Sequence, residues 1–161
     1  MTKESKTRKT LDCKSSDRPY LHRDFHGALC YAIKYLDDNY GFDATRRYFE
    51  GVGETCFAPL SRKLRDQGLS ALEEHWRTVF SKEAGEFSIA YDGDVLVLTV
   101  TQCPAIKHLK TTGQLFTDRY CESTVATNRA ICRAAGYDSS CEYEPGQGRC
   151  AQRFWRKGSE V

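Results

Sequence analysis

Residues 95–104 read VLVLTVTQCP. From 95 to 100 nearly every side chain is apolar or β-branched, so neither side of a strand here is made for water. The segment reads as a strand covered on both faces, the most interior piece of the chain. It ends abruptly at Gln102-Cys103-Pro104. Proline suits the first turn of a helix because it has no N–H to leave unsatisfied there, and the residue before it is pushed out of the helical region. Cys103 is therefore expected where the buried strand hands over to a helix at 105–110. A thiol in that place faces the helix's free N–H groups and the positive end of its dipole, both of which favour the thiolate.

The rest of the chain arranges itself around that strand. Before it lie three helical patterns. In 20–40, Leu29, Cys30, Ile33 and Leu36 recur at helical spacing and Gly41 is a stop. In 43–67, Tyr48, Phe49, Val52, Cys56, Leu60 and Leu64 form one stripe, with Gly51 and Gly53 weakening the helix and Pro59 expected to kink or interrupt it. Those two glycines let either another helix or a ligand come close. The third pattern, 70–84, carries Leu72, Trp76, Val79 and Phe80 and stops at Gly85. Residues 86–91 alternate through Phe87, Ile89 and Tyr91 and pair with the central strand about Asp92-Gly93-Asp94, a strong turn signal. Beyond Pro104 come a short helix, a helix at 118–135 and two strands at 137–144 and 149–157. Pro145-Gly146-Gln147-Gly148 joins these strands. A tight Pro-Gly turn would set Cys141 opposite Cys150; a four-residue loop would set Tyr143 there instead. Either way the two cysteines are neighbours across a hairpin. Three helices, a hairpin, two helices and a hairpin make an α+β domain at 19–157, a four-stranded antiparallel sheet packed against about five helices.

Charge and hydropathy narrow the functional classes. Residues 1–18 hold six Lys/Arg and three Asp/Glu with almost no apolar side chain, which predicts a disordered tail containing Cys13. The remaining chain is nearly neutral, so no nucleic-acid partner is expected. No apolar run approaches the ~18–20 residues that span a bilayer, and no apolar segment follows the basic N-terminus, so no membrane partner is expected and the assignment is cytoplasmic.

Eight cysteines are many for such a chain. A reducing compartment argues against a disulfide framework and leaves metal binding, catalysis or plain burial. Cys121, Val125, Asn128, Cys132 and Ala135 share one helix face, apolar except for two thiols and one amide. Cys121 and Cys132 lie some 16 Å apart along that helix at ~1.5 Å per residue, too far to serve one metal ion. A cluster would therefore use one of them, with Cys121 preferred because a helix start again favours its thiolate. Two chemistries follow. Cys121, Cys141 and Cys150 would bind zinc with a carboxylate from Asp138, Glu142 or Glu144 as the fourth ligand. Alternatively, one thiolate acts as a nucleophile, Cys103 by position, with His108 nearby. Arg119 in Asp118-Arg119-Tyr120 would hold a substrate carboxylate through its two-pronged guanidinium, and Asn128 would offer a polar contact from the helix face.

The order of a helical half, a strand ending in Cys103-Pro104, a helix opening with Tyr120-Cys121-Glu122 and a last strand reading Cys150-Ala151-Gln152-Arg153-Phe154 resembles the L-2-amino-thiazoline-4-carboxylic acid hydrolase family. It also resembles vinyl-reductase-type small-molecule-binding domains. The first resemblance implies a hydrolase that opens a cyclic thiazoline by adding water at its C=N carbon, with Cys103, Cys121 and Cys150 matching recurring cysteines. The second implies a binding or sensing domain holding a small molecule, with a zinc site formed by Cys121, Cys141, Cys150 and Asp138.

Overall fold

The computed structural model describes residues 23–159; the expected tail at 1–18 with Cys13, and the start of the expected helix at 20–40, lie outside the described residues. The elements run α1 (Arg23–Tyr40), α2 (Phe42–Thr55), α3 (Ala58–Gln67), α4 (Ser70–Lys82), β1 (Glu86–Asp92), β2 (Val95–Gln102), α5 (Pro104–Thr111), α6 (Glu122–Ala135), β3 (Tyr137–Glu144) and β4 (Arg149–Arg156). This is an α+β fold with a helical N-terminal half. The stretch expected as one helix at 43–67 is two helices: of the two effects expected of Pro59 it interrupts the pattern, beginning a new helix in the first turn of α3. The helix expected from 118 starts only at Glu122, leaving 118–121 as turns with Cys121 at the N-cap of α6.

All three strand pairings are antiparallel and the sheet order is β1-β2-β4-β3, which puts β2 and β4 in the centre. Asp92 faces Val95 across the first hairpin, and Gly93 takes the left-handed φ of 57° that its turn requires. Glu144 faces Arg149, so the second hairpin has the four-residue loop and Tyr143 lies opposite Cys150.

Strand parity then sorts the side chains. One face carries the rows Phe87–Val100–Cys150–Tyr143, Ile89–Leu98–Gln152–Cys141 and Tyr91–Leu96–Phe154–Ser139. Leu96 and Leu98 are fully buried on this face, against Leu60 and Leu64 of α3, Leu72 of α4 and Ile131 of α6. The other face carries Val97, Thr99, Ala151 and Arg153, all half-exposed. The expectation that the central strand is covered on both sides is therefore corrected. β2 alternates buried and half-buried positions, and its outward residues are β-branched because such side chains suit a pleated surface, not because a second layer covers them.

A second core cluster, centred on Cys30 and Ile33 of α1, Phe49 of α2 and Ile106 and Leu109 of α5, joins the helices to one another. Cys30 is a fully buried member of it. Gly53 sets the distance between α2 and α6: a Cβ there would stand 2.7 Å from Ala130 Cβ and 2.8 Å from the Thr127 carbonyl oxygen. Gly53 thus serves close helix packing, whereas Gly51 has nothing within 4 Å of where its Cβ would be.

Candidate functional site

Four thiols converge where the sheet's inner face meets the starts of two helices. Cys103 ends the central strand and caps α5, its φ and ψ of −71° and 121° leaving the helical region just before Pro104. Its backbone N–H donates to Gly148 O in the β3–β4 loop at 2.8 Å, which ties that loop to the strand end. Cys121 lies at the start of α6, and Cys141 and Cys150 stand diagonally across β3 and β4 on the inner face. The four act on one another electrostatically: Cys150 on Cys103, Cys103 and Cys150 on Cys121, and Cys150 and Cys121 on Cys141.

The expectation that a helix start makes Cys103 and Cys121 acidic does not hold. Burial pushes the Cys103 thiol up, and the nearby backbone N–H groups of Ile106 and Ala105, which make no capping hydrogen bond to its side chain, offset only part of that. Burial, reinforced by the neighbouring thiols and Glu122, pushes Cys121 up to about 12. A fractional helix-end charge is outweighed once the sulfur has lost its water. Cys150 is the thiol shifted the other way. Cys141 donates a hydrogen bond to its sulfur, burial opposes the shift, and the Gln152 amide donates as well, Nε2 to Sγ at 3.4 Å. Cys141 is held protonated as the donor of that pair. The negative charge belongs on Cys150 because only Cys150 has the second donor.

Gln152 links this cluster to the rest of the interior. It is 3% exposed in the middle of the inner face, and its Oε1 accepts from Asn128 Nδ2 of α6 at 2.8 Å. The two amides border a cavity of about 440 Å³ between α1, α2, α4 and α6. Its walls are Phe49, Val52, Phe57, Trp76, Val79 and Phe80, its mouth carries the exposed Phe25 and Tyr48, and Ser123, Thr124 and Thr127 line the α6 side. Trp76 Nε1 is a buried donor without a hydrogen-bond partner among the described residues, on a side chain that forms one wall. Other clefts of about 430, 420 and 390 Å³ are each bordered by charged side chains and do not reach the buried amides.

The remaining expected site residues are placed elsewhere. His108 contacts Gln114, Nε2 to Nε2 at 3.4 Å, and acts on His26. Five residues from Cys103 is ~140° around a helix, so the ring is carried to another side. Arg119 pairs with Asp37, Nε to Oδ2 at 3.2 Å, and stacks over Phe42 with its guanidinium carbon 4.4 Å from the ring centroid. Its two-pronged head thus meets a carboxylate, but one belonging to α1. Asp138 cannot join Cys141, since an odd separation along a regular strand puts it on the opposite face. It acts instead on Cys132, which stays apart from the cluster and hydrogen-bonds with Ser139. Among the described residues no group of three or more His, Cys, Asp or Glu side chains is arranged to hold a metal ion, so the zinc set of Cys121, Cys141, Cys150 and Asp138 does not fit.

Three participants were given no site role from the sequence: Glu122, Tyr143 and Gln152. The Tyr143 hydroxyl donates to Glu122 Oε1 beside the thiols. Gln152 carried a signal, being a polar residue between Cys150 and Phe154 on an apolar strand face. No helix among the described residues is long and apolar enough to cross a membrane. No protein-family model, curated protein or solved structure matches the chain.

Proposed function

We propose that this protein binds a small, largely apolar or aromatic molecule in the cavity between α1, α2, α4 and α6, with one polar group of the ligand meeting Asn128 and Gln152. The observation that carries this is the cavity itself: about 440 Å³ walled by aromatic and aliphatic side chains, ending at a buried amide pair. Its size and its scarcity of polar groups are those of pockets that take small organic ligands. The unpartnered Trp76 N–H favours a ligand with a hydrogen-bond acceptor, because a buried donor without a partner costs stability until one arrives.

The test is titration with the neutral fluorophore N-phenyl-1-naphthylamine. Saturable one-to-one binding with a Kd in the micromolar range is expected, and Val79→Trp, which fills the cavity, should weaken it about tenfold or more, a loss of at least ~1.4 kcal/mol. Folded wild-type protein that shows no saturable binding overturns the proposal.

A second reading is favoured by one observation, the lowered pKa of Cys150 one hydrogen bond from the cavity floor. In it the protein is a hydrolase acting on a small cyclic amidine or thiazoline carboxylate, with Cys150 and not Cys103 as its nucleophile. Turnover of a thiazoline carboxylate that is lost in Cys150→Ser, with fluorophore binding intact, would favour this reading over a binding domain without chemistry.

A further inference from the structure

The geometry points to Cys141 and Cys150 as a peroxide-oxidisable dithiol, a modification site in which Cys150 is the attacking sulfur and Cys141 the resolving one. The inference stands independently of what fills the cavity.

Three observations carry it. The two side chains are on the same face of adjacent strands, diagonal to one another in the register that pairs Tyr143 with Cys150 and Cys141 with Gln152. Each thiol is the strongest influence on the other, Cys141 acting as donor toward Cys150. Both are only partly buried, which leaves the pair open to a small oxidant. No other thiol among the described residues combines these properties. Cys30 and Cys132 are fully buried. Cys56 is exposed, with only the Thr55 hydroxyl beside it at 3.8 Å. Cys103 and Cys121 face the same centre, but burial holds both as thiols.

The chemistry balances with a hydroperoxide as the oxidant. The Cys150 thiolate attacks the terminal peroxide oxygen, the O–O bond breaks, and the departing alkoxide or hydroxide takes a proton. Cys150 is left as a sulfenic acid. The Cys141 sulfur then attacks the Cys150 sulfur, its proton goes to the leaving hydroxide, the S–O bond breaks and water departs. Two thiols have lost two electrons to one hydroperoxide, and the products are a disulfide, an alcohol or water, and water.

Strand geometry makes such a bond reversible. Diagonal neighbours have Cα atoms ~7–8 Å apart, whereas a relaxed disulfide wants them below ~7 Å, so closure must draw β3 and β4 together. A bond formed under that constraint is more easily reduced. Closure also removes the anion to which Gln152 Nε2 donates, so the oxidation state is felt at the cavity floor.

The experiment treats the reduced full chain with one equivalent of hydrogen peroxide, blocks the remaining thiols and maps tryptic peptides without reduction. Trypsin cuts after Arg133, Arg149 and Arg153, so the bond joins peptide 134–149 to peptide 150–153. The expected result is this linked pair, its loss on adding dithiothreitol, and two of the eight thiols consumed. In Cys141→Ser, Cys150 should accumulate as a sulfenic acid trapped by dimedone. Oxidation appearing first at Cys13 or Cys56, or Cys150 linked instead to Cys103 or Cys121, overturns the assignment. Because the wild-type map alone decides this, a variant that fails to fold does not blunt the test.

Discussion

Replacing Gln152 with leucine tests the buried amide pair on which the cavity floor depends. Gln152 and Asn128 are 3% and 2% exposed, and the hydrogen bond between them is 2.8 Å long. Leucine at 152 would sit comfortably beside Leu98, its neighbour in the same row, so packing is not the main loss. The loss is the acceptor for Asn128 Nδ2, a buried donor whose desolvation is then uncompensated, at about 1–3 kcal/mol. Asn128→Leu strands Gln152 Oε1 in the same way. In a chain of this length each kcal/mol shifts the melting temperature by about 2–4 °C, so each single change, taken at about 2 kcal/mol, should lower it by about 4–8 °C. Removing both amides leaves no orphan. The double variant should therefore lose only the net worth of the hydrogen bond, about 1 kcal/mol or less and not about 4, giving a coupling of about 3 kcal/mol. Urea unfolding of the wild type, both singles and the double, followed by circular dichroism, measures this directly. Additivity to within ~0.5 kcal/mol would refute the argument, because it would mean that the two amides do not depend on each other.

The two glycines of α2 should respond in opposite senses. Gly53→Ala forces a methyl against Ala130 and the Thr127 carbonyl and should destabilise by about 1–3 kcal/mol, whereas Gly51→Ala meets nothing and should stabilise by about 0.5–1 kcal/mol. Equal effects in urea unfolding would mean that α2 and α6 do not meet at Gly53. His26 should make stability fall in acid. Burial, and after it His108, lowers its pKa from 6.5 to about 4, and its Nδ1 contacts the Tyr120 hydroxyl at 2.7 Å. With the folded state disfavouring the proton, this contribution is fully present above the unfolded pKa of about 6.5 and is lost as pH falls towards 4. Allowing for a ring that is not fully sealed from water, about 1–2 kcal/mol should disappear over that window. His26→Gln, which keeps an acceptor for Tyr120 but does not titrate, should flatten this part of the pH–stability profile; an unchanged slope would exclude His26 as the cause.

Much of the fold was legible because local rules decide it. Pro104 could begin a helix but not continue a strand, so the junction at Cys103 followed from two residues. Asp92-Gly93 closed the first hairpin, and alternation through Phe87, Ile89 and Tyr91 marked the inward face of β1. The convergence of Cys103, Cys121, Cys141 and Cys150 was partly legible too, since helix length alone separates Cys121 from Cys132. What a residue is beside, as opposed to which element it occupies, was not legible. β2 looked doubly buried because β-branched side chains suit a half-exposed sheet face as well as a covered one. Arg119 looked like a substrate clamp because nothing local reveals Asp37, a partner on another helix.

The sequence by itself determined the order of helices and strands and which side chains share a strand face, because periodicity and turn chemistry act over a few residues. Only the tertiary structure decided which thiol is acidic and where a ligand would fit. Ionisation depends on the sum of desolvation and donors arriving from distant elements. At Cys103 and Cys121 burial outweighs the helix ends that the sequence displays. At Cys150 the donors are Gln152, two residues along the strand, and Cys141, delivered by the register of a hairpin whose loop length the sequence left open. The cavity likewise belongs to no segment. It exists because Ser123, Thr124 and Thr127 of α6 are too small to fill the space that the aromatic walls of α2 and α4 enclose, and that mismatch arises only when the helices pack.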